Sequence, residues 1–195
     1  MTPKQIQSRK KKIADVKRIL AAEKRKFGGY DDSRGLRYAP PRYYIELADY
    51  AGGLAYTKWF DKNFPDDCGF PIFLFEWTII LYKNGKIKEA EKKALQTFIS
   101  NTYLLDKFLE KEFLDLDKEE HSNWDGRELA EQLGYSKNQI ELQDFADWLS
   151  SFVTSDKFYK IANEFINIQQ RLKAERVGPV RSKLLNRSYS LLDNY

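Results

Sequence analysis

The chain of 195 residues holds one cysteine, one histidine and one methionine. A lone cysteine, Cys68, closes no internal disulfide, and without Cys and His clusters there is no ligand set for a structural zinc ion. Such cysteine usage suits a reducing compartment, so a cytoplasmic location is expected. Long apolar runs are missing as well. The most apolar stretch, Trp77 to Tyr82, is far shorter than the roughly 20 residues that cross a bilayer. The first residues are basic and carry no apolar segment of the secretory kind, so no membrane partner is expected. Strand-period alternation is absent, and with it any glycine-rich phosphate loop following a strand. His121 has Lys118 three residues before it, which excludes the Glu-x-x-His metal motif of helical bundles, and no nucleophile lies near it in sequence. The remaining carboxylates are spread as solvated helix faces. No catalytic residue, metal ligand or cofactor is therefore assigned, and a non-enzymatic chain is expected.

What the chain does have is apolar and aromatic side chain, 42% and 15% of residues, enough for a substantial core. It also has segregated charge. Residues 1–42 carry 13 Lys and Arg against 4 Asp and Glu, residues 43–170 carry 14 against 23, and residues 171–195 carry 6 against 2. An acidic body between basic ends hints at an interaction arm, or at ends folded back on the body.

Apolar periodicity near 3.6 predicts helices throughout. Residues 3–27 read as one helix with Ile6, Ile13, Val16, Ile19, Leu20 and Phe27 along a stripe. Arg9 and Glu23 interrupt that stripe, so the helix is expected to pack on the domain rather than on a copy of itself. Its other faces carry Lys10, Lys11, Lys12, Lys17, Arg18, Lys24 and Arg25, candidate phosphate contacts if exposed. Gly28-Gly29 end it, and the loop up to Tyr44 mixes Arg34, Arg37 and Arg42 with Tyr38, residue types that dominate binding hot spots. Pairing of those arginines with Asp31 and Asp32 is the alternative.

Further along, Pro71–Asn101 reads as two helices hinged at Asn84-Gly85, the first apolar nearly all round. The segment 102–114 is expected to continue helical and the acidic run 115–124 to be a surface connection. Asp125 to Glu128 and Ser136 to Gln139 read as capping boxes, the first helix closing at Gly134. Helices burying Leu142 to Phe152 and Phe158 to Leu172 follow, with a short amphipathic helix or flexible tail from Pro179. A helix-turn-helix DNA reader around Gly134 is rejected, since Glu141, Asp144 and Asp147 occupy the face that phosphate would meet. The expected division is a basic helix (1–28), an Arg/Tyr-rich loop (29–42), a helical domain (43–178) and a tail (179–195).

Around the Gly85 turn, Ala90 stands five residues on, with Leu74 and Leu81 in the preceding helix, and Ala48 and Gly53 repeat Gly85 and Ala90 at a spacing of 37 residues. This pattern resembles the tetratricopeptide repeat, a helical hairpin of about 34 residues. It departs from the family where Ala48 replaces the usual glycine and where Thr57 and Ala94 replace aromatics. The resemblance covers roughly residues 42–101. It implies an all-α right-handed superhelix of antiparallel helical hairpins; the alternative that the helical periodicity leaves open is an irregular all-α helical bundle. It further implies a scaffolding role, with a partner protein or peptide in a groove lined by Arg42, Ile45, Glu46, Ile72, Phe75, Ile79, Tyr82 and Lys83. The alternative partner is nucleic acid, met by the basic helix and the Arg/Tyr loop. The sequence leaves oligomeric state open.

Overall fold

Helix α1, Pro3–Phe27, opens on a capping box in which the Thr2 hydroxyl accepts from the Gln5 amide at 3.3 Å and the Thr2 amide donates back to Gln5 at 2.7 Å. Pro3 at the first helical position and Gly28 at φ 74 close the two ends. A computed structural model of the protein describes residues 1–30, 32–120, 122–193 and 195, so Asp31 and His121 lie outside the described residues. Among the described residues there are α-helices and short 3-10 turns and no strand.

The chain forms two compact units, Met1–Ala90 and Glu91–Tyr195. The basic helix and the Arg/Tyr loop belong to the same unit as residues 43–90, and the boundary falls inside a helix rather than at a linker.

In the first unit α1 is followed by a 3-10 turn, Leu36–Tyr38, then by α2 (Pro40–Glu46), α3 (Tyr50–Asn63) and α4 (Pro71–Lys83). Phe60, Phe73 and Trp77 form its aromatic centre, with the Phe60 and Phe73 rings 4.6 Å apart. Gly53 lets α3 approach its neighbours, for a Cβ there would meet Ile80 at 2.9 Å. The two connections are built alike. Between α2 and α3 the Ala48 amide donates to the Ile45 carbonyl and the Asp49 amide to Tyr44; between α4 and α5 (Ile87–Ser100) the Gly85 amide donates to Tyr82 and the Lys86 amide to Leu81. Ala48 sits at φ 52 and Gly85 at φ 71, so the 37-residue correspondence extends to backbone dihedrals although one residue carries a Cβ.

The second unit continues α5 and adds α6 (Leu104–Phe108), α7 (Arg127–Glu131), α8 (Gln143–Val153), α9 (Asp156–Ala174) and α10 (Pro179–Tyr189). Phe145, Leu149, Phe165, Ile168 and Leu172 are buried as expected, and so is Leu184 of α10. The tail is thus docked, with Arg181 donating to the Leu172 carbonyl at 2.5 Å and to Glu119 at 2.9 Å.

Three expectations fail here for local reasons. Helix α6 does not run on to residue 114, because Glu110 takes φ 53 and the Lys111 amide returns to the Asp106 carbonyl at 2.9 Å, a left-handed closure made without glycine. The two expected capping boxes do not form. Gly126 is the N-cap of α7, which ends at Glu131 rather than at Gly134, and the Asn101 side chain holds the Trp124 and Gly126 carbonyls at 2.6 and 2.9 Å. The Ser136 hydroxyl donates to Glu110 at 2.7 Å and accepts from the Asn138 amide at 3.2 Å without a reciprocal bond from Gln139, and α8 starts only after a 3-10 turn, Ile140–Leu142. Nor is 115–124 simply a surface connection. The Lys118 side chain is 4% exposed, and its ammonium donates to Glu120 at 2.9 Å and to the Asp125 carbonyl at 3.0 Å while lying 4.9 Å above the Tyr103 ring.

Candidate functional site

Ile13, Val16 and Leu20 are buried and set the rotation of α1 on its unit. Burial of each contributes about 1.5–3 kcal/mol as an upper estimate, so apolar contact is the main anchor. Cations beside that stripe are then carried onto partners within the unit. Arg9 pairs with Glu46, Lys17 donates to the Tyr44 hydroxyl at 2.9 Å, and Lys12 lies 5.3 Å above the Tyr43 ring. Lys24 donates to Asn63 at 3.2 Å and lies 4.9 Å above Tyr30. These contacts rest on partly exposed groups and contribute about 1 kcal/mol or less apiece.

On the opposite side the cations are exposed. Lys4, Lys11, Arg18 and Arg25 recur every seven residues and share one face, drifting by only ~20° per step. At 1.5 Å rise per residue they stand ~10.5 Å apart and extend over ~32 Å. Lys10 lies at the edge of this stripe and is exposed too. Arg18 has Asp15 at 3.2 Å, with its own side chain 72% exposed. Among the described residues no ion pair or hydrogen bond engages the side chains of Lys4, Lys10, Lys11 or Arg25. Between the cations the apolar residues of this face are Ala14, Ala21 and Ala22, none with an anchoring side chain.

The set of seven cations expected to meet phosphate is therefore split. Lys10, Lys11, Arg18 and Arg25 face outward, whereas Lys12, Lys17 and Lys24 contact their own unit. Lys4 belongs to the outward stripe although composition alone did not single it out; the signal was its seven-residue spacing from Lys11.

The Arg/Tyr loop is tied inward. Arg37 donates to Asp67 at 2.6 Å and to Asp32 at 3.2 Å, and Tyr38 donates to Asp67 at 2.7 Å. Asp32 is itself satisfied by the Leu36 and Arg37 amides at 2.8 Å each. Burial alone pushes the Asp67 carboxyl up, but hydrogen bonds from Tyr38, the Gly69 amide and Arg37 outweigh it and hold it below the ordinary carboxylate range. The Tyr38 hydroxyl is raised by its own burial and by the bond to Asp67. Arg37 and Tyr38 thus fasten the loop, while Arg34 is exposed and Arg42 reaches Glu46 at 3.0 Å.

Of the positions expected to line a peptide groove, three are buried, Ile72, Glu46, Tyr82 and Lys83 are half-buried, and Arg42 is exposed. Phe75 and Ile79 have no exposed surface, and Tyr82 and Lys83 are half-buried, the latter 5.6 Å above Tyr50. In the first helix pair Ile45 is buried and Glu46 receives Arg9, so α1 packs against the α2 part of the expected groove. Two clefts of the second unit, about 560 and 430 Å³, flank the Glu110 tie to Ser136 and Asn138. Lys107, Lys111, Glu131 and Asp147 give them mixed charge and no shared direction. Among the described residues no cluster could hold a metal ion, and no helix is long and apolar enough to cross a membrane.

Compared with known protein families, curated proteins and solved structures, the chain matches none.

Proposed function

We propose that the chain is a non-enzymatic binding module that engages the phosphate backbone of a nucleic acid through the outer face of α1. The observation that carries this reading is the stripe Lys4, Lys11, Arg18 and Arg25, exposed along ~32 Å of one helix. Protein interfaces draw their energy from buried aromatic and Arg anchors packed in apolar surroundings. Between its cations this face offers alanines and short polar side chains, with Asp15 beside Arg18, and so supplies charge without such a centre. Phosphate neutralisation needs no more than that charge.

The test is a fluorescence-anisotropy titration of labelled nucleic acid at low and physiological salt, with a variant carrying Lys4→Glu, Lys11→Glu, Arg18→Glu and Arg25→Glu. Four neutralised phosphates give an affinity that falls roughly 50- to 150-fold between about 50 and 200 mM salt. The charge-reversed variant should not bind. Equal binding by the variant, or none by either protein, refutes the reading.

A partner-protein reading is favoured by a separate observation, the matching turns at Ala48 and Gly85, which support the tetratricopeptide likeness. Its first-pair positions Ile45 and Glu46 lie against α1, so a peptide reaching them has to displace that helix. Native-state hydrogen exchange tests this. Faster opening of α1 than of α3 and α4 supports displacement, and equal protection counts against it.

A further inference from the structure

We infer that the partner is a double-stranded nucleic acid, gripped without sequence preference by Lys4, Lys11, Arg18 and Arg25 reaching phosphates on both walls of a groove. This rests on the phosphate-binding reading above and adds the form of the ligand. Two features of the site select the duplex.

The first is the lack of a stacking platform. Proteins that hold single strands combine a basic track with aromatic rings on which successive bases stack. The rings nearest α1 are already covered from that helix: Tyr43 lies under Lys12, Tyr44 accepts from Lys17, and Tyr30 lies under Lys24. Phe27, 59% exposed at the far end of the helix beneath Lys26, is a single ring and cannot order a run of bases. The outward stripe itself carries no aromatic residue.

The second is rigidity and spacing. The cations sit on one straight helix at ~10.5 Å intervals, close to the ~12 Å width of the major groove of B-form DNA. A duplex presents its phosphates already fixed at such separations. A single strand has to be ordered onto them, at a cost in conformational freedom. Held to its unit through Ile13, Val16 and Leu20, α1 presents these cations as one fixed outward face, and contacts to phosphate carry no sequence information. Shape and charge are then what it reads.

The experiment is an anisotropy titration of the full chain against duplex DNA, duplex RNA and single-stranded DNA at several salt concentrations. Each ligand has about 20 base pairs or nucleotides, twice the ~10 base pairs that the stripe spans at 3.4 Å per step. We expect duplex binding about tenfold tighter than single-strand binding, unchanged when the duplex sequence is scrambled. The expected slope of log affinity against log salt is about −3.6 for B-form DNA. Replacing the four cations by Gln should abolish the preference, while Lys4→Arg with Lys11→Arg should keep it; circular dichroism melts of these surface variants should match the parent. Binding of duplex DNA alone supports the inference and names the source, whereas binding of duplex RNA alone, with its deep and narrow major groove, overturns it. Single strands bound as tightly as duplexes overturn the duplex inference and leave the phosphate reading standing. No binding to any of the three overturns both.

Discussion

The two turns of the first unit offer a matched pair of substitutions with opposite expected signs. Ala48 holds φ 52 and Gly85 φ 71, with the same pair of backbone hydrogen bonds behind each. A side chain with a Cβ in this region costs about 1–2 kcal/mol. Ala48→Gly removes that cost and, since Ala48 is exposed, gives up little buried surface. Glycine also widens the unfolded ensemble, which takes back about 0.4–1 kcal/mol. A net gain of about 0.5–1 kcal/mol follows. Gly85→Ala runs the reverse way. A Cβ at Gly85 would meet nothing within 4 Å, so no packing term intervenes and a net loss of about 0.5–1 kcal/mol follows. For a chain of this length 1 kcal/mol moves Tm by about 2–4 °C. Thermal melts of the full chain should therefore show shifts of about 1–4 °C, upward for Ala48→Gly and downward for Gly85→Ala. Shifts of the same sign would refute the claim that the two turns are conformational equivalents.

Two further outcomes follow from buried polar groups. The Asp67 carboxyl is held below its ordinary value of 3.8, so its contribution is fully present above that pH and is lost as pH falls through the folded value. Asp67→Asn should cost about 1–3 kcal/mol at pH 7 and flatten the acid limb of a stability-versus-pH curve; parallel acid limbs for variant and parent would contradict the network at Arg37 and Tyr38. In the second unit, Lys118→Ala removes the buried ammonium that donates to Glu120 and the Asp125 carbonyl, leaving Glu120 the Tyr103 hydroxyl at 3.1 Å, an expected loss of about 1–3 kcal/mol in urea melts. A neutral result there would mean that the connection is fastened by something else.

Much of the helical scaffold was legible because burial writes a period into sequence. The stripe Ile13, Val16, Leu20 and the run from Leu142 to Leu172 lie buried where periodicity placed them. Even the Ala48 to Gly85 correspondence survives, because the hydrogen-bond pattern of the turn recurs although its usual residue does not. What escaped was set by conformation or by tertiary partners. Glu110 ends α6 in a left-handed conformation that glycine normally announces. Ser136 looks like a cap but turns to Glu110, 26 residues away. Lys118 reads as a surface residue and is buried, because its three partners come together only after the chain between Tyr103 and Asp125 has closed.

The candidate site shows the same limit in a sharper form, since Lys11 and Lys12 are neighbours of one type with different fates. What separates them is angle from the buried stripe. Lys12 stands near enough to Val16 and Arg9 for its stem to follow the helix surface to Tyr43, whereas Lys11 is turned by a further ~100° into solvent. The stripe that decides this is apolar, and its contribution of about 1.5–3 kcal/mol per residue exceeds that of any ion pair beside it. Salt therefore weakens the attraction of phosphate for the outer cations far more than it weakens the seat of α1. A helix anchored by apolar contact and charged on its far side keeps that charged face in place at ionic strengths that would release a bound phosphate.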